Sequence, residues 1–231
     1  MRFEQPKRYG NVENADTPRM LMATIPKSDK TRARILEAAT EEFSQMGLSG
    51  ARVEAIAARS TNSKRMIYHY FGSKEKLYAA VLEHAYQMFR IREESLGLQD
   101  MPPADALSRL VEETFDYHES APNFVRLVAI ENIHYGEHIR RSSAITKANA
   151  TAVPLVAGIL ERGYKEGVFQ RKIHPIDLHY MISALCVFRV GHLHTFSAVV
   201  GHDLYEPELR ARQRSMIVRA VLDTVGATSP S

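Results

Sequence analysis

The residues best suited to chemistry lie between Ser60 and Lys74, where Lys64, Arg65 and Lys74 share a stretch with Tyr68, His69 and Tyr70 and no acidic residue intervenes. Such a stretch suits a polyanion. Lysine and arginine neutralise phosphates, tyrosine donates a hydrogen bond to them, and an arginine fork can bind the O6 and N7 of guanine. Other chemistries find poorer material. Cys186 is the only cysteine and stands among apolar neighbours, which excludes an intrachain disulfide and a cysteine-held zinc and suits packing better than nucleophilic work. His134 and His138 stand at i, i+4, the spacing of two metal ligands on one helix face, and His192 and His194 flank Leu193. Neither pair has the acidic companion of an HExxH motif, so no metal is assigned. With no Gly-x-Ser-x-Gly elbow and no P-loop, neither enzymatic activity nor a cofactor is expected.

The elements that must position the basic stretch are helices. Ser28 or Asp29 can cap a first helix in which Ile35, Ala39, Phe43 and Met46 recur at three- to four-residue spacing, ending at Gly47. Val53, Ile56 and Ala57 give a second, short helix one narrow apolar stripe. Ser60, Thr61 and Asn62 offer no apolar anchor and turn the chain. Ser63 then caps a third helix by accepting a backbone N–H, and Ile67, Tyr70 and Phe71 continue its apolar side. Gly72 closes that helix, and Ser73 caps a fourth that carries Leu77, Val81, Leu82, Ala85 and Met88 or Phe89 toward Ser95. Two short helices joined by a tight turn and buttressed on both sides are the helix-turn-helix plan for placing a recognition helix in the major groove.

Composition fits this reading once it is divided along the chain. The whole carries a net charge of only +3 over 231 residues, too little to announce a polyanion partner. Residues 27–76, however, hold ten Lys/Arg against six Asp/Glu, whereas residues 77–231 hold sixteen against eighteen. The basic excess belongs to the helix-turn-helix segment. Residues 1–26 show no period and read as a flexible arm, and they lack the apolar core of a signal peptide. With a single cysteine, cytoplasmic localisation is expected.

The run Val53-Glu-Ala-Ile-Ala-Ala-Arg-Ser-Thr-Asn-Ser-Lys-Arg-Met-Ile-Tyr-His-Tyr-Phe-Gly-Ser-Lys-Glu-Lys-Leu resembles the DNA-binding signature of the tetracycline-repressor (TetR) family of bacterial regulators. The stretch Ile67-Tyr-His-Tyr-Phe-Gly-Ser-Lys-Glu carries most of the likeness, which extends over about Lys30 to Leu82. It implies an all-α protein: a three-helix, helix-turn-helix DNA-binding domain over residues 27–76, then a larger helical ligand-binding and dimerisation domain over residues 77–231, entered through a connecting helix at 77–95. Two departures stand in the turn, where the family usually has glycine and then an apolar residue and this chain has Thr61 and Asn62. If residue 61 is left-handed, threonine carries a β-branched penalty there. Arg65 stands where many relatives carry a small residue.

Site residues follow. Ser63, Lys64 and Arg65 open the recognition helix, with Arg65 placed for a guanine; Tyr68 and His69 lie opposite Ile67 and Phe71; Tyr70 is balanced between packing and phosphate contact. Lys74 and the amides opening the fourth helix suit a phosphate. At Arg52 the resemblance implies a further backbone contact.

In the second domain, helices are expected from about Leu107 to Ala121, over Phe124 to Tyr135, over Val153 to Gly167, over Ile176 to Val200 and over Pro207 to Val225. Arg189, His192 and His194 interrupt the apolar 176–200 stretch, which reads as a buried helix and not a membrane span. By the resemblance, the last two helices (176–200 and 207–225) pair with those of a second subunit, and a small-molecule pocket draws on Phe89, Phe115, His118, Phe124, Glu131, Asn132 and Tyr135. The function implied is a ligand-responsive regulator, a repressor that binds a palindromic operator in double-stranded DNA as a homodimer and is released by a small molecule. The rival reading is a helical small-molecule or metal-binding protein whose head has lost DNA binding.

Overall fold

The computed structural model describes residues 27–204 and 206–227; the arm expected over residues 1–26 lies outside them. Among the described residues twelve α-helices follow one another: α1 (Lys27–Gly50), α2 (Val53–Ser60), α3 (Lys64–Phe71), α4 (Lys74–Glu94), α5 (Pro103–Ser120), α6 (Pro122–Ile133), α7 (Glu137–Arg141), α8 (Ser143–Asn149), α9 (Ala152–Lys165), α10 (Pro175–Gly191), α11 (Leu193–Val200) and α12 (Pro207–Val225). Among the described residues the extended structure is a single isolated bridge between Phe169 and Ala227. Pro103, Pro122, Pro175 and Pro207 each open a helix, where a missing N–H costs nothing and a fixed φ is already helical.

Two apolar cores result. In the first, Ile35 and Phe43 of α1, Val53 and Ile56 of α2, Ile67 and Phe71 of α3 and Leu77, Val81 and Leu82 of α4 are buried together, and Leu127 of α6 and Ile145 of α8 belong to the same cluster. The second joins Leu107, Leu110 and Phe115 of α5 with Val156 and Ile159 of α9, Leu178, Ile182 and Cys186 of α10 and Ile217 and Val221 of α12. The helix-turn-helix core is thus continuous with the body. α1 lies along α6, and the Ser44 hydroxyl donates to Asn123 Oδ1 at 3.0 Å across that contact.

Several sequence-based expectations need correction. Ser28 and Asp29 lie inside α1 instead of capping it. Gly47, at φ 65° and ψ 178°, interrupts α1 as its missing Cβ allows, but helical turns resume to Gly50, and Met46 is 54% exposed instead of joining the stripe. His134 and His138 do not share a helix: His134 ends α6, and Tyr135 (φ 56°) and Gly136 (φ 66°) reverse the chain before α7. The short helices α7 and α8 have too few apolar repeats to be seen by periodicity. The 176–200 stretch is two helices, bent by 71° at His192. It is not buried all round either, for Ile176, Tyr180, Leu185, Phe188 and Phe196 are exposed beside buried Leu178, Ile182 and Cys186. By length and composition alone, Ser143–Lys165 would suffice to cross a membrane. Within it, α9 buries Val156, Ile159 and Leu160 in the body core.

Candidate nucleic-acid interface

The geometry of α2 and α3 is fixed by a turn of three residues. Thr61 is left-handed (φ 54°, ψ 38°), and its N–H and that of Asn62 return to the carbonyls that end α2. Thr61 Oγ1 and Asn62 Nδ2 both donate to the Ser60 carbonyl at 2.7 Å, so the two side chains that depart from the family pattern satisfy the turn locally. Ser63 then caps α3 by accepting the Met66 N–H at 3.2 Å, which stabilises the helix start by about 1 kcal/mol.

On α3, Ile67 and Phe71 point into the core and fix the rotation of the helix. At about 100° per residue, the side opposite them is centred on His69, with Arg65 and Met66 to either side of it. Tyr68 and Tyr70 lie on the flanks, Tyr68 exposed and Tyr70 half-buried. Lys64 lies nearer the core side and forms an ion pair with Glu54 of α2. The hydrogen bond from Lys64 holds the Glu54 carboxyl below its usual range, so Glu54 stays ionised. Arg59 is likewise engaged, by Glu41 and Glu42. Arg65, by contrast, has no ion-pair partner among the described residues.

At the far end of α3, Ser73 caps α4 by accepting the Lys76 N–H, and Lys74 Nζ donates to the Ser49 carbonyl at 3.3 Å. Arg52 is exposed at the start of α2, with its backbone N–H donating to Glu42 Oε1. The structure therefore gathers Arg52, Ser63, Arg65, Tyr68, His69, Tyr70 and Lys74 around one short helix and holds Lys64 by a carboxylate. Met66, 40% exposed on the outward side, was not singled out by the sequence.

The expected pocket residues separate into groups. Phe89, His118 and Phe124 come together with Tyr117, with ring centroids 4.7–6.1 Å apart. Beside them Arg90 is buried against Glu93, donates to Asn149 Oδ1 at 3.0 Å and lies 4.6 Å from the Phe89 ring centroid. Burial pushes the Glu93 carboxyl up despite Arg90. Burial and the Arg90 charge also push the His118 and His179 imidazoles down, so both are neutral near pH 7. His118 Nδ1 meets the Thr114 carbonyl at 2.6 Å, an acceptor that fixes the proton on that nitrogen. The space left among Phe89, Glu93, Thr114, His179 and Ser183 is about 10 Å³, room for about one water.

The other four lie elsewhere. Phe115 lies under the guanidinium groups of Arg189 and Arg210. Glu131 accepts the Tyr78 hydroxyl at 2.9 Å, His138 Nδ1 at 3.0 Å and the His138 N–H at 3.1 Å, joining α4, α6 and α7 beside α1. Asn132 is exposed and bonded to Val128 O within its own helix, and Tyr135 is 83% exposed in the turn after α6. Arg90, Glu93, Tyr117, Asn149 and His179 were missed; the Arg90–Glu93 spacing of three was the one local hint. Among the described residues no three His, Cys, Asp or Glu side chains are grouped as a metal ion requires. The Cys186 thiol is pushed up to about 12 by burial and is chemically quiet.

Comparison with known proteins agrees with this arrangement. Residues 35–81 match the bacterial regulatory proteins of the tetR family, and residues 103–221 match the tetracyclin repressor-like C-terminal domain. The HTH-type transcriptional repressor NicS of Pseudomonas putida is 39% identical over 185 residues, covering 80% of this chain and 87% of NicS. The HTH-type transcriptional repressor SCO4008 of Streptomyces coelicolor is 36% identical over 164 residues, 70% of this chain and 79% of its own. Among solved structures, the putative transcriptional regulator SCO4942 from Streptomyces coelicolor superposes with a TM-score of 0.66 at 26% identity, over 86% of this chain and 99% of the other. With the helix-turn-helix head and the helical body each matched, the chain belongs to the TetR family of DNA-binding transcriptional regulators.

Proposed function

We propose that this protein is a repressor that binds a palindromic operator as a homodimer and leaves it when a small molecule enters the body. The observation that carries the reading is the outward face of α3, where Arg65, Tyr68 and His69 stand exposed on a helix without an acidic residue, capped by Ser63 and followed by Lys74 at the start of α4. In this reading Arg65 takes a guanine edge, Tyr68 and Lys74 hold phosphates, and Arg52 and Tyr70 steady the helix on the backbone.

One such helix reads few base pairs, so two are needed, one helical turn of DNA apart. The exposed apolar side chains Tyr180, Leu185, Phe188, Phe196 and Met216 on α10, α11 and α12 support pairing of these helices between two copies. The aromatic group of Phe89, Tyr117, His118 and Phe124 with Arg90 supports an effector site there, one that must open to be filled. An effector releases DNA only if it binds the released form more tightly than the bound one. Such a regulator works in the cytoplasm, beside the chromosome.

A gel-shift titration over a series of salt concentrations, on DNA from the region next to its own gene, tests the reading. Specific binding that weakens with salt is expected. Equal affinity for this DNA and for random DNA would remove it.

A further inference from the structure

The geometry points to Met66 as a base-reading residue that recognises the methyl group of a thymine next to the base pair contacted by Arg65, an assignment that rests on the DNA-binding reading above. Large apolar side chains on this short helix otherwise have a place: Ile67 and Phe71 are buried, and Tyr68 and Tyr70 carry hydroxyls at the flanks. Met66 has neither excuse. It is 40% exposed, next to Arg65 in the chain and one turn before Tyr70, on the side of α3 turned away from buried Ile67 and Phe71.

Its backbone is not free to swing this side chain away. The Met66 N–H is held by the Ser63 cap, and the buried neighbour Ile67 fixes the rotation of the helix. The side chain must therefore meet whatever the outward face meets.

In a major groove that surroundings are base edges, and a thioether can do little with most of them. Methionine has no N–H or O–H to give to N7 or O6, and its sulfur is a weak acceptor for the amino groups of adenine and cytosine. The one apolar feature of the groove is the thymine C5-methyl. An unbranched, polarisable side chain adapts to that methyl and buries itself in doing so. Arg65 alongside supplies the polar half of the readout, so the pair would read a guanine and a neighbouring thymine together.

The test uses the full chain and an operator enriched by it from random double-stranded DNA. Each thymine of that operator is replaced in turn by deoxyuridine, which lacks only the methyl. At one symmetry-related pair of positions the wild-type protein is expected to lose about fourfold in affinity per half-site, the worth of one buried methyl. Met66→Ala should bind the unmodified operator more weakly and show no difference between thymine and deoxyuridine there, whereas Met66→Leu should keep the preference. Because Met66 is exposed, unchanged thermal unfolding of both variants is expected and separates recognition from folding. If no position responds to methyl removal, or if the response survives in Met66→Ala, the assignment is overturned while sequence-specific binding stands. If no sequence is enriched at all, the DNA-binding reading falls and this one with it.

Discussion

The head, α1 to α3 with the start of α4, and the body that follows handle their polar groups in opposite ways. In the head the buried side chains are apolar apart from Glu42, Ser44 and Ser60, and the charges of α2 and α3 stay at the surface, as in the Lys64–Glu54 and Arg59–Glu41 pairs. In the body Arg90, Glu93, Glu113, His118, Glu131 and Arg189 are all buried, and each is answered by a partner. Buried charges held by partners cost much desolvation and gain little net stability, but they make an interior that has few ways to rearrange. A head built mainly on shape, with Glu42 as its one buried charge, keeps its surface available for a polyanion. A body whose interior is polar and satisfied in pairs has something to exchange when a ligand enters, and α6 is placed to pass the exchange on. Phe124 of α6 belongs to the aromatic group, while Leu127 and Asn123 reach the core and the surface of the head.

The strongest way to break this contrast is to orphan a buried charge. Arg90→Met leaves Glu93 without its counter-ion and should destabilise the fold by about 3–5 kcal/mol, read by urea unfolding. The double variant Arg90→Met with Glu93→Leu should recover most of that loss. If Arg90→Met alone is neutral, the polar interior of the body is not a matter of pairing.

A second comparison lies within one helix. A Cβ on Gly163 of α9 would come within 2.0 Å of the Phe169 ring, whereas a Cβ on Gly158 would meet nothing within 4 Å. Gly163→Ala should therefore cost about 1–3 kcal/mol through overpacking. Gly158→Ala should instead stabilise α9 by about 0.5–1 kcal/mol through lower backbone entropy in the unfolded chain. Thermal unfolding of the two variants should move in opposite directions.

This difference between two glycines shows where the sequence was legible. The head could be read closely because its information is local: caps at Ser63 and Ser73, breaks at Gly47 and Gly72, and apolar spacing within each short helix. Even the left-handed conformation of Thr61 was open to inference from its place in the turn. The helices of the body were legible where they are long, and α12 begins and ends where its proline and last valine suggested. Its polar interior was not. Arg90 meets Asn149 across 59 residues and Arg189 meets Glu119 across 70, and no period in the sequence encodes such pairs. His134 and His138 misled because spacing of four implies one face only if the helix continues, and Tyr135 takes a conformation that favours glycine. Met46 misled because an apolar residue in register looks buried until the packing is known.

The buried histidines give the contrast a pH dependence. His118 in the folded protein has its pKa lowered from the ordinary 6.5, chiefly by burial. As pH falls below about 6.5, the unfolded chain takes up a proton that the folded chain refuses, so stability held above that pH is lost on acidification. His179 and His84 act in the same direction, also through burial. Unfolding free energy should decline from pH 7 to pH 5, and His118→Gln should decline less steeply. An identical slope in the variant would mean that His118 takes up its proton without leaving its site.

The smallest effect expected tests the one place where the head itself is strained. Thr61 holds φ 54° and ψ 38°, a conformation that costs a β-branched residue about 1–2 kcal/mol and costs glycine little. Against relief of that strain, Thr61→Gly loses the hydroxyl bond to the Ser60 carbonyl and gains freedom in the unfolded chain. The strain is the larger quantity, so net stabilisation of about 0.5–1 kcal/mol is expected in urea unfolding. The Asn62 amide still closes the turn on Ser60, so α3 should keep its orientation and DNA affinity should hardly change. A destabilised variant would show instead that the threonine hydroxyl holds the turn more firmly than its backbone strains it, and the head would then share the reliance on polar pairing that marks the body.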